Sequence, residues 1–238
     1  MVEYDKKAFD TKKKYNKEKI MKLKILIIVA ILLSLCSCAY TEPNAKFTVT
    51  AFGVSANSKT TKAYLQAIDP ENSLEGSVKT FEVTGQGKNL SLALRDIKTK
   101  LSKEASFQHC QLIILSHGVE EKVFSDYLGL CKQIGIPLRT KMIYTDNIEK
   151  LLTNKKITDA SNIISLLKQG YEILGFGKHS ALFEIQTAVL TNKGNFALPV
   201  LSVDEDEIQI AGLMKYERLI PVKRLDYEES REYAKEIN

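Results

Sequence analysis

The sequence predicts an α+β fold, a mixed β-sheet with packed helices arranged in two subdomains. Three observations predict it. Phe47 to Ser55 (FTVTAFGVS) alternates apolar and polar residues and is rich in Val, Thr and Phe, the pattern of a half-buried strand. Gln111 to Leu115 (QLIIL) is almost continuously apolar, as a strand covered on both faces is, and helical patterns lie on either side of it. Leu198–Val203, Ile208–Lys215 and Leu219–Lys223 are three strand patterns with only turn-length gaps, which reads as an antiparallel set.

In chain order, the first strand is followed by a turn at Asn57-Ser58-Lys59 and a returning strand from Lys62 to Ile68. A third strand is expected over Val78–Val83, then the segment Thr84-Gly85-Gln86-Gly87-Lys88, read as a turn. Leu90, Ala93, Leu94, Ile97 and Leu101 recur at helical spacing, so 90–101 is expected as a helix with one buried face and Asn89 as its N-cap. After the covered strand at 111–115 come a helix over Glu120–Gln133, Gly135 and a strand over Arg139–Tyr144; strand–helix–strand with covered strands implies a crossover unit. Asn147–Leu152, Ser161–Ile173 and Ala181–Thr191 read as helices, and Glu228–Ile237 as a polar terminal helix. The subdomain boundary is placed at residue 150, giving 47–150 around the mixed sheet and 151–238 as a helical segment plus closing antiparallel strands.

The formal net charge of +5 invites a nucleic-acid reading, but its location removes it. Residues 1–37 hold nine lysines against four acids, so the chain from Cys38 onward carries 25 residues of each sign. No nucleic-acid partner is expected.

The N-terminal region sets the expected address. Met21 to Cys38 reads MKLKILIIVAILLSLCSC, with Lys22 and Lys24 before an apolar run from Ile25 to Leu35. That run is about half of the ~20 apolar residues a spanning helix needs, so 21–37 reads as a secretory signal peptide. Leu35-Cys36-Ser37-Cys38 resembles the bacterial lipobox, with an aliphatic residue at −3 and a small one at −1. Cys38 is therefore the expected lipidation site, since Cys36 would place bulky Leu35 at −1; a retained anchor helix is the alternative. Residues 1–20 fit no targeting pattern and are expected to be a non-native leader, with Met21 as the start. Residues 38–46 then form a lipidated tether.

Each motif with chemical potential has a plainer reading. Gly85-Gln86-Gly87-Lys88 lacks the spacing of a phosphate loop, and Asn89 stands where a Mg²⁺-binding hydroxyl would be. His109 and His117 are separated by ~26 Å if the strand between them is straight, too far to share a metal; His179 is isolated. Cys110 and Cys131 sit in apolar stretches, where buried free thiols are common, although export permits a disulfide. Asp204-Glu205-Asp206-Glu207 lacks the ligand alternation of a calcium loop and reads as a solvated hairpin tip. No catalytic residue, metal site or cofactor is expected, and no enzyme activity.

An ordered set of segments carries a family resemblance: the lipobox, Ala51-Phe52-Gly53-Val54-Ser55, Phe81-Glu82-Val83-Thr84-Gly85-Gln86-Gly87-Lys88-Asn89-Leu90, Ala93-Leu94-Arg95, His109 with Gln111–Leu115, Leu138-Arg139-Thr140, Leu198-Pro199-Val200 and Ile210–Tyr216. In this order and spacing the chain resembles the C-subunit lipoproteins of spore germination receptors, the Ger(x)C family. The resemblance runs from Met21 to about residue 230. It implies a lipid-anchored protein on the outer face of the spore inner membrane, working beside A- and B-type membrane subunits in assembly or signal coupling. It also implies a further C-terminal domain, which this chain is expected to lack. A substrate-binding lipoprotein of an importer is the alternative role.

Overall fold

The computed structural model describes residues 21–27, 46–73, 80–154, 160–174, 180–191, 193–205 and 207–237. Contacts group the chain into two units, Met1–Glu42 and Pro43–Asn238. In the first, residues 21–27 are helical and exposed. Cys38, the leader 1–20, most of the signal peptide and nearly all of the tether lie outside the described residues, as do Val78 and His179.

The second unit is built on one mixed sheet, with nine strands among the described residues. They are β1 (Lys46–Ala56), β2 (Thr61–Ile68), β3 (Thr80–Gly87), β4 (Glu104–Ser106), β5 (Leu112–Leu115), β6 (Lys141–Thr145), β7 (Phe196–Asp204), β8 (Glu207–Glu217) and β9 (Ile220–Leu225). The order across the sheet is β3-β2-β1-β5-β6-β7-β8-β9, with β4 pairing beside β1. Strands β1, β5, β6 and β7 are parallel and central; antiparallel pairs close both ends. The fold is therefore α+β with a mixed sheet, as expected. The sheet runs without interruption across residue 150, where the sequence placed a boundary: Tyr144 pairs with Val200 and Thr145 with Leu201.

Among the described residues six α-helices pack on it: α1 (Leu90–Lys100), α2 (Glu121–Gln133), α3 (Ile148–Leu152), α4 (Ala160–Leu174), α5 (Leu182–Thr191) and α6 (Tyr227–Ile237). Leu112, Ile113, Ile114 and Leu115 of β5 are all fully buried because the sheet is covered on both faces. Ile113 and Leu115 face one apolar cluster with Phe52, Ala93, Ile97, Phe124 and Tyr127. Leu112 and Ile114 face the other, with Ile143, Leu151, Ile163 and Leu167. Alternate side chains of one strand thus enter opposite layers, as a pleated strand requires.

The chain changes layers between α4 and α5. Met142 N donates to Ser180 O at 2.7 Å and Leu182 N to Thr140 O at 2.8 Å, so residues 180–182 lie along the start of β6. They occupy the place where β7 would otherwise pair, which explains why β6 and β7 share only two register positions.

One expectation is corrected. The segment through Gly85-Gln86-Gly87 is the end of β3, paired with Ala63, Lys62 and Thr61, and not a turn. A Cβ on Gly85 would run into Ala93 O and the Ile97 backbone nitrogen, and one on Gly87 into Leu92 and Ala93. The two glycines let α1 lie directly against the strand. Asn89 caps that helix as expected, its side chain accepting from Leu92 N at 2.9 Å.

Candidate functional site

Parallel strands end together, and the space beyond their carboxyl ends is where open sheets most often present a crevice. Here the ends of β1, β5 and β6 border a cavity of about 250 Å³ lined by Ser55, Asn57, Lys62, Tyr64, His117, Asp146 and Glu149, among others. Three tight loops build it. Asn57 Oδ1 accepts from Lys59 N and Thr60 N, closing the β1–β2 turn. Gly118, at φ +73°, backs directly onto Ala56 O, and Ala56 N donates to His117 O at 3.1 Å. Asn147 caps α3 by accepting from Lys150 N.

Hydrogen bonding sets the chemistry of the crevice. The hydroxyl of Ser116 donates to Asp146 O at 3.2 Å and lies 3.1 Å from His117 Nδ1. A serine has one proton to give, so with that proton on Asp146 O the second contact is donated by His117 Nδ1. Ser116 is buried with its proton committed to a carbonyl, which is the opposite of an activated nucleophile. The Asp146 carboxylate is held by Arg224 at 2.8 Å, an exposed pair joining β9 to the β6–α3 loop. At the crevice floor Ser55 and the Tyr64 hydroxyl lie 3.4 Å apart. Tyr144, two residues before Asp146 and on the other face of the sheet from Tyr64, has its phenol pushed above its usual range by burial first and the Asp146 charge second. The arrangement offers both charge signs and several neutral donors to a small polar molecule.

A second, larger opening of about 880 Å³ lies between α1 and the end of α2, with Leu65, Leu94, Phe107 and Ile134 as its apolar lining and Arg95 and Lys98 at its edge.

The remaining sequence candidates are dispersed. His109 stands before β5 and His117 after it, at opposite ends of the strand, and no group of three or more metal-ligating side chains occurs among the described residues. Cys110 and Cys131 are free and buried in the same apolar cluster as Tyr127, whose hydroxyl donates to Phe52 O at 3.3 Å. Asp204 pairs with Glu207 across the β7–β8 hairpin, so the acidic run is the hairpin tip; Asp206 lies outside the described residues. Sequence reading singled out His117 alone in the crevice. Asp146, Tyr64 and Lys62 carry no motif, and only strand register gathers them.

Fold and openings define the class: a mixed-sheet α+β domain with a polar crevice at its carboxyl edge and an apolar groove between two helices. The family model of the spore germination protein N-terminal domain matches residues 40–203, and the chain belongs to that family. No curated protein and no solved structure matches it. A role in spore germination follows from the family.

Proposed function

We propose that this chain is a lipid-anchored, non-catalytic subunit of a nutrient-responsive germination receptor, acting in assembly or signal coupling beside A- and B-type membrane subunits. The observation that carries the reading is the family match, which starts at residue 40, two positions after Cys38 of the Leu35-Cys36-Ser37-Cys38 motif. Diacylglyceryl transfer to that thiol supplies two acyl chains. Each buried methylene contributes ~0.8 kcal/mol, and two chains suffice for stable anchoring. The folded unit then sits at the outer face of the spore inner membrane, where it links the receptor's membrane subunits.

The test is mass spectrometry of the protein from spores together with Cys38→Ala. The native product is expected to begin at Cys38 and to carry the glyceride. Cys38→Ala is expected to accumulate as uncleaved, unlipidated precursor and to slow the germination response to nutrients. An unmodified Cys38 thiol in the native product overturns the anchoring; a normal nutrient response in spores lacking the protein overturns the receptor role.

A further inference from the structure

The outer face of α5 is apolar in a way that solvent does not favour. Leu190 is 85% exposed, Leu138 56% and Phe183 49%. Phe183 and Leu190 are seven residues apart, two turns along one helix face, and Phe183 N donates to Leu138 O at 2.9 Å, which joins the loop to the helix. The polar atoms of this face are turned inward. Thr187 Oγ1 donates to Phe183 O and Thr191 Oγ1 to Thr187 O, each at 2.8 Å, so both hydroxyl protons are taken up by the helix backbone. The one carboxylate of the helix, Glu184, accepts from Ala181 N at 2.7 Å, in the helix's own first turn. Exposed cations flank the apolar stripe in the chain: Arg139 follows Leu138, and Lys193 follows the helix.

Strand register fixes the end of the sheet to which Leu138 belongs. Lys141 pairs with Leu112 and Leu112 with Ala51, so β6 begins level with a residue five positions after Lys46. Leu138 precedes β6, at the amino end of the parallel strands, which is also the end where β1 starts. Lys46 lies eight positions after Cys38, a reach of at most ~29 Å.

The geometry points to a second membrane contact: Leu138, Phe183 and Leu190 enter the interface of an anionic bilayer, with Arg139 and Lys193 at headgroup level. Apolar side chains bordered by cations are the composition of an interfacial anchor. The short tether keeps this end of the sheet near the membrane, so the contact costs little additional ordering. This inference rests on the anchored reading proposed above. It assigns the bilayer as occupant of the stripe, in preference to a partner protein.

The experiment places an environment-sensitive fluorophore at Leu190→Cys in the full-length protein. The protein is isolated from its membrane and reconstituted alone into vesicles of phosphatidylcholine and phosphatidylglycerol with brominated acyl chains. A matching label at Lys59→Cys, on the β1–β2 turn at the opposite end of the strands, is the reference. The label at 190 is expected to show blue-shifted emission and bromine quenching that the label at 59 lacks, with both lost when Phe183→Glu and Leu138→Glu are added and the far-ultraviolet spectrum is unchanged. Equal exposure of the two labels to water overturns the contact. So does shielding of residue 190 that requires added membrane subunits, which would assign the stripe to protein. The mass of the same preparation reports the state of Cys38 separately, so failure of the anchor and failure of the contact are distinguishable.

Discussion

At the scale of single residues, the buried polar side chains of the central layer are more informative than the exposed motifs. Cys110 and Cys131 read from the sequence as buried free thiols, although export permits a disulfide, and both are free and buried in surroundings that make them inert. Burial pushes the Cys110 thiol from its ordinary 9.0 to about 12, and burial raises Cys131 further. Burial also raises the Tyr127 phenol beside them. A thiol that stays protonated is a poor nucleophile. Both cysteines are therefore expected to resist thiol reagents in the native state at pH 8 and to react fully in denaturant, as an absorbance assay of released thiolate reads directly. The same shifts set an alkaline limit. The unfolded chain releases its thiol protons near pH 9 while folded Cys110 holds its own to about 12. Stability from these groups is complete below pH 9 and falls as pH rises toward 12, by roughly 1.4 kcal/mol per unit for each thiol. Urea midpoints between pH 7 and 11 check the slope; a flat profile contradicts the burial.

At the scale of elements, the α1–β3 contact depends on two missing side chains. The strand offers Gly85 and Gly87 where the helix backbone passes, and the obstacles to an added methyl are backbone atoms of Ala93 and Ile97, which cannot rotate aside. Gly85→Ala is expected to cost about 1–3 kcal/mol by overpacking. Asn89→Ala, which removes only the cap, should cost about 1 kcal/mol. Equal urea midpoints for Gly85→Ala and the unsubstituted protein would show that α1 sits further from the strand. The glycines are visible in the sequence, but Gly-x-Gly between a strand and a helix has the same local signature whether it turns the chain or continues the strand. Helix α5 shows the converse. Its apolar pattern gave the helix correctly, but a segment apolar on most sides has no single buried face to read. Only the packing of Leu182 and Ile185 inward leaves Phe183 and Leu190 outside.

At the scale of the whole molecule, one continuous sheet ties residues far apart in sequence into a single cooperative structure. β1 lies next to β5, and β6 next to β7 across the expected boundary at 150. Segment 180–182 stitches the two faces together at the start of β6. Unfolding in urea is expected to follow one transition, with far-ultraviolet and near-ultraviolet signals coincident. Two separated transitions would show an independent unit beyond residue 150. The polar crevice also belongs to this scale, since Ser55, Lys62, His117 and Asp146 come from four chain segments.

What the sequence determined by itself is local: the identity and order of nearly every strand and helix, the Asn89 cap, the neutral balance of charge beyond Cys38, the acidic hairpin and the family pattern. Each depends on residues a few positions apart, whose side-chain periods and hydrogen-bonding preferences are set by the backbone. What only the tertiary structure decided is non-local. Strand order, the passage of the chain between layers at 180–182, the crevice and the outward stripe of α5 all depend on which surfaces meet. Burial against a distant partner is a property of the pair, and neither segment carries it alone.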